Sequence, residues 1–241
     1  RKVHFSQGNL QYNASGSSSS AVSGANVGGT WRFAEHQFDF VGNDAAGNVY
    51  EGGVKSNNAN IAQTYGGWID LFGWGTSGYN HGATCYQPWS TSQTNSDYYA
   101  YSTSTYTYNL FDETGMADWG KANAISNGGN QAGKWRTLTG GSSGEWNYLI
   151  SSRSDAANLY GEGKVGNCTP GLIILPDDWY ENEDRPSLPF TPGRSAWANS
   201  YSYSEWSLME AAGAVFLPVA GCRIGAGEHA VAYTNGAYYW A

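Results

Sequence analysis

The sequence predicts a single α+β domain spanning residues 1–241, with two helices packed on short mixed and antiparallel strands and long irregular loops between them. Three observations predict it. Charged residues make up only 13% of the chain, well below the roughly 25% of ordinary soluble domains. The polar remainder is Ser, Thr, Asn and Gly rather than Lys and Glu, and such residues favour turns, loops and strands over long helices. Two segments with helix-start signals alternate with two continuous apolar runs. With 11 Trp, 18 Tyr and 8 Phe, the core must lean on aromatic rings, whose N–H and O–H groups need polar partners when buried.

The elements follow in order. Residues 3–12 (VHFSQGNLQY) predict a strand, a turn at Gly8-Asn9 and a second strand. Residues 13–30 are rich in Ser, Gly and Ala and predict a flexible loop. Trp31, Phe33, Phe38 and Phe40 alternate with a shift, which fits a strand followed by a turn. Residues 57–119 show no period and predict a long loop insertion, with a short helix or turn around residues 69–74. Residues 135–153 (WRTLTGGSSGEWNYLISSR) predict a strand and then a helix. Ser143 is the expected N-cap, Glu145 suits the positive end of the dipole, and Trp146, Leu149 and Ile150 form the apolar stripe. Residues 171–179 (GLIILPDDW) are the most apolar run and predict a central buried strand ended by Pro176. Residues 180–203 read as loop, and residues 204–212 as a second helix capped by Ser204 and stopped at Gly213. Residues 214–217 (AVFL) predict another buried strand, and residues 235–240 a closing aromatic one.

Charge and cysteine usage exclude several function classes. The net charge is -8 and no Lys/Arg cluster exists, so the basic stripe that nucleic acid demands is missing. An anionic membrane surface is disfavoured on the same ground. No run approaches the roughly 18 apolar residues of a membrane helix. The chain opens on Arg1-Lys2-Val3 without an apolar leader, as expected of a processed chain. Cys85, Cys168 and Cys222 are widely spaced and odd in number, so at least one thiol is free and no zinc spacing is present. Asp177, Asp178, Glu181, Glu183 and Asp184 form an acidic stretch whose spacing matches no EF-hand loop. It reads more simply as a turn in which Asp177 or Asp178 caps backbone N–H groups. His4, His36, His81 and His229 show no paired metal spacing. No cofactor, metal or catalytic residue is expected.

Several phrases, taken together, carry a resemblance: WRTLT and EWNYLISSR at 135–153, LIILPDDW at 172–179, EWSLMEAAGAVFLPVAGCR at 205–223 and NGAYYW at 235–240. In this order they resemble the Bacteroidetes surface-protein branch of the C-type-lectin-like fold, which is similar to formylglycine-generating-enzyme-like domains. FSQGNLQY, WRFAEHQFDFVG and GWIDLFGWGTSGYNHG earlier in the chain extend the similarity to most of it outside residues 13–30. The resemblance implies a binding surface displayed near the C-terminus. Some members of this fold are the variable proteins of diversity-generating retroelements, in which adenine-containing codons around the closing segment are randomised. Cys222, Ile224, His229 and Ala237 stand where the family shows Tyr or Asn, and each is reachable by changing adenines alone.

The expected ligand-binding residues are therefore Cys222, Ile224, Glu228, His229, Tyr233, Asn235, Ala237 and Tyr238. Aromatic faces stack on sugar rings and anchor protein interfaces with little entropy to lose. Strand neighbours face opposite ways, so Tyr239 or Trp240 is expected in the core and Tyr238 outside it. The resulting expectation is a secreted or cell-surface, adhesin-like module for a glycan or for a host or bacterial surface protein. Two other classes stay open: an enzyme of the formylglycine-generating-like superfamily or a glycoside hydrolase, and a structural surface-assembly subunit. The formylglycine-generating relatives use a C-terminal cysteine pair, whereas Cys222 has no near neighbour in sequence.

Overall fold

A computed structural model describes residues 3–14, 29–39, 67–70, 88, 118–166, 169–219 and 239. The architecture is mixed α+β, with few helices and two sheets. Strands β1 (Leu10–Asn13), β2 (Thr30–Phe33) and β3 (Trp68–Ile69) make a three-stranded antiparallel sheet in the order β2-β1-β3. Alternation decides its faces: Tyr12, Trp31, Phe33 and Ile69 point into the core, while Arg32 lies on the other side, its guanidinium 4.0 Å from the Trp68 ring centroid. The outer edge of β2 is closed by a parallel bridge between Trp31 and Ile125 and by the Asn127 side chain. Asn127 Oδ1 accepts from the Phe33 N–H at 2.7 Å and its Nδ2 donates to the Phe33 carbonyl at 2.9 Å, as a paired strand would.

The second sheet runs β6-β4-β5-β7, from Asn199–Tyr201, Tyr160–Val165, Thr169–Ile174 and Val215–Pro218. β4 pairs antiparallel with β5 and parallel with β6, and β5 pairs antiparallel with β7. β5 is central, and both its faces are apolar. Ile173 and Leu175 face one cluster with Leu159, Val165, Trp179 and Phe216. Ile174 faces the other with Val215 and Leu217. Gly171 has no side chain because the Phe216 ring occupies the place a Cβ would take.

Helix α3 (Tyr203–Ala211) covers the first face with Trp206 and Met209, both fully buried. Its N-cap is Ser202, two residues before the expected Ser204. Ser202 Oγ accepts from the Glu205 N–H while Glu205 Oε2 accepts from the Ser202 N–H, a reciprocal capping box that Ser204 lacks a Glu or Gln three residues on to form. Gly213 sits just past the helix at φ 95, the left-handed stop its sequence position predicts. The turn after β2 ties the two sheets together: Phe38 enters the first-face cluster, and Gln37 Oε1 accepts the Phe216 N–H at 2.6 Å.

Several expectations are corrected. Residues 3–7 form no strand. Of the short helix or turn expected around residues 69–74, Ile69 belongs instead to β3 with Trp68, where it pairs with Tyr12, and residues 71–74 lie outside the described residues. Most of the expected insertion at 57–119 lies outside the described residues; helix α1 (Trp119–Ala122) begins at its expected end, with N-cap Asp118 accepting the Gly120 N–H at 2.9 Å. Residues 135–138 form no strand; the Trp135 Nε1 and the Thr137 N–H find partners in the Gly128 carbonyl and Asp118 Oδ2 instead. The 180–203 loop contains β6. The second half of residues 135–153 is helical, but α2 (Glu145–Asn147) passes into a π turn at Tyr148–Ser152. The wider turn rotates the expected stripe off one face: Trp146 is partly buried and Ile150 is exposed. The cap is Gly144, not Ser143, and it lends no side-chain bond; Thr139 Oγ1 takes the Glu145 N–H in its place.

Candidate functional site

The predicted ligand-binding residues Cys222, Ile224, Glu228, His229, Tyr233, Asn235, Ala237 and Tyr238 lie outside the described residues, as do His81, Trp240 and the three cysteines. Tyr239 is described. Its hydroxyl donates to the Pro218 carbonyl at 2.8 Å, at the end of β7. Its ring packs on the Ile174, Val215 and Leu217 cluster together with Phe5 and Trp146. The Trp146 and Tyr239 centroids are 5.9 Å apart with planes tilted by 48°, an ordinary attractive aromatic geometry. The second face of the central sheet is thus roofed by three aromatics drawn from the start of the chain, helix α2 and the closing segment. Burial pushes the Tyr239 phenol well above its usual range, and the Asp70 carboxylate acts in the same direction. Of Tyr239 and Trp240, one of which was expected in the core, Tyr239 is partly buried against that cluster and Trp240 lies outside the described residues.

Trp146 is positioned by an electrostatic clasp on α2. Arg136 Nη1 donates to Glu145 Oε2 at 2.6 Å and Nη2 donates to Oε1, a two-pronged pair. Glu145 also accepts the Thr139 N–H at 3.0 Å. The Arg136 guanidinium, with help from Thr139, holds the Glu145 carboxyl at about 2. A depressed folded-state value means stability that is present above the ordinary value of 4.5 and lost as pH falls from there toward about 2. The pair is partly exposed, so solvent screens it. Glu145→Gln is expected to cost about 1 kcal/mol at pH 7 and to flatten the loss of stability between about pH 4.5 and 2. Urea melts of both proteins across that range check this; parallel curves would refute it.

The acidic stretch is placed differently from its expected role. Asp177 does not cap its own turn; its Oδ1 accepts from Arg153 Nη1 at 2.9 Å. Among the described residues no group of His, Cys, Asp and Glu could hold a metal ion. His36 lies stacked on Phe38 with centroids 4.9 Å apart, and its backbone N–H donates to Asp39 Oδ2. No described helix is long and apolar enough to cross a membrane.

Sequence reading missed Arg136 and Arg153. Arg136 carried a weak signal, an Arg nine positions before a Glu across a Gly/Ser turn, which fits a clasp only once the turn is known to fold back. Arg153 carried none, because its partners Leu159 and Leu175 act through backbone carbonyls. Compared with known proteins, the chain matches no family model, no curated protein and no solved structure.

Proposed function

We propose that the chain is a ligand-binding module of the C-type-lectin-like kind, secreted or held at the cell surface, that recognises a glycan or a surface protein in the manner of an adhesin. The observation that carries this reading is the anchoring of Tyr239 on the second face of the central sheet. In a strand, an inward tyrosine at 239 would turn its immediate neighbour Tyr238 outward. Tyr238 is that neighbour, and with His229, Tyr233 and Asn235 it makes up the proposed ligand-binding surface, with Cys222, Ile224, Glu228 and Ala237 as further positions of a diversified patch. Tyrosine and asparagine suit such a surface, since one offers a rigid ring and the other both a donor and an acceptor.

The test is a glycan-array and surface-protein screen on the wild type and on a variant with His229, Tyr233, Asn235 and Tyr238 changed to Ala, both confirmed folded by near-UV circular dichroism. The expected result is a ligand bound by the wild type and weakened at least about tenfold in the variant, the scale of one anchor residue. Equal binding by both would place the ligand elsewhere, with residues 57–119 next to be tested. Absence of any ligand would overturn the reading and favour an enzyme or an assembly subunit.

A further inference from the structure

A second candidate surface lies on the side of α3 that faces away from the core. A groove of about 490 Å³ runs between this helix and the turn that follows Trp179, lined by Asn182, Asp184, Pro186, Leu208, Ala211 and Ala212. Leu208, Ala211 and Ala212 follow one another at i, i+3 and i+4, so they share one helix face. Leu208 is 57% exposed, which leaves a large apolar side chain in solvent at the groove wall. Ala212 packs against the core cluster and makes a firm floor.

The rim carries negative charge that the protein does not neutralise. Asp184 lines the groove, and Asp178, Glu181 and Glu183 belong to the turn that leads to it; all four are exposed and make no ion pair among the described residues. Arg185, next to Asp184 in sequence, lies over the Tyr180 ring at 5.7 Å. The Asn182 side chain accepts the Asp184 N–H at 2.9 Å, which fixes the turn at the groove wall. An apolar channel with an unneutralised acidic wall is complementary to a side chain with an aliphatic stem and a cationic head. Lysine has that shape, with its four-carbon stem and compact ammonium.

We propose that this groove docks a lysine-bearing apolar segment of a partner protein, with the lysine stem on Leu208, Ala211, Ala212 and Pro186 and the ammonium at Asp184. The inference does not rest on the C-terminal patch. Its test is fluorescence anisotropy of the full chain with a fluorescein-labelled peptide of sequence Gly-Ser-Lys-Leu-Ala-Lys-Leu-Ser-Gly. Two control peptides carry Glu, or the short-stemmed cation diaminopropionate, in place of both lysines. Saturable binding of the lysine peptide below about 1 mM is expected, with no binding of the glutamate peptide. Asp184→Asn and Leu208→Ser are each expected to weaken it at least about fivefold, and raised salt to weaken it further. Both side chains are exposed, so unchanged thermal melts are expected to show that the variants fold. The variant altered at His229, Tyr233, Asn235 and Tyr238 is expected to bind the peptide as the wild type does, which separates failure of this inference from failure of the proposed function. No binding at about 1 mM, equal binding by both groove variants, or equal binding of the diaminopropionate peptide would each overturn it.

Discussion

Arg153→Met is expected to destabilise the protein by about 3 kcal/mol, and Asp177→Ala by no more than about 1 kcal/mol, although the two residues form an ion pair. The asymmetry follows from where each partner sits. The Arg153 side chain is 3% exposed and that of Asp177 67%. Arg153 Nη1 donates to the Leu175 carbonyl at 2.9 Å and Nη2 to the Leu159 carbonyl at 3.0 Å. Those bonds join the end of β5 to the short 3-10 turn (Ala156–Asn158) that precedes β4. The Arg153 Nε is buried with no partner among the described residues, so the guanidinium already carries a desolvation cost that its carbonyl bonds offset. Methionine keeps the length of the stem but offers no donor, so the Leu175 carbonyl loses its buried partner. Removing Asp177 takes away a carboxylate that water already solvates. Urea melts of the two variants decide the matter. A loss at Asp177→Ala as large as that at Arg153→Met would show that the ion pair, and not the carbonyl bonds, holds this corner.

Trp206→Ala is expected to cost about 3–5 kcal/mol, while Trp206→Phe costs under about 2 kcal/mol. Trp206 is fully buried on the first face of the central sheet. Its ring meets Phe216 edge-on at 5.4 Å and lies 6.3 Å from Tyr201. Alanine would leave a cavity between α3 and the sheet that the flanking strands cannot collapse to fill. Phenylalanine keeps the edge-on contact and removes the indole N–H, which is buried without a hydrogen bond among the described residues. Losing that polar group offsets part of the lost volume. Chemical denaturation with a fixed m-value measures both changes. Equal losses would mean that the N–H has a partner that matters.

Local pattern made several parts of this fold legible. The run at Ile173–Leu175 reads as a central strand because a strand apolar on both faces needs cover on both. The strand at Val215–Leu217 reads the same way, and Gly213 marks the end of α3 through the left-handed backbone that glycine tolerates. Trp31 and Phe33 reveal the inward face of β2 by simple alternation. For the candidate site, alternation in the closing segment was enough to expect an inward residue at Tyr239 or Trp240.

Only the tertiary structure decided the rest, because its causes lie far apart along the chain. Trp68–Ile69 is a strand since Tyr12 offers it a partner, and two residues have no periodicity to read. The Asn127 fork on Phe33 and the Gln37 bond to Phe216 join residues whose pairing no local window contains. The π turn after α2 carries Ile150 to an exposed position, and propensity does not encode it. The groove on α3 depends on a turn that folds back beside the helix, so its apolar wall and acidic rim come from segments the sequence holds apart. Sequence alone determined the mixed α+β class, the central strands and the aromatic side chains available to the core. Packing decided which of them face inward, since burial is a property of distant partners and not of neighbours in the chain.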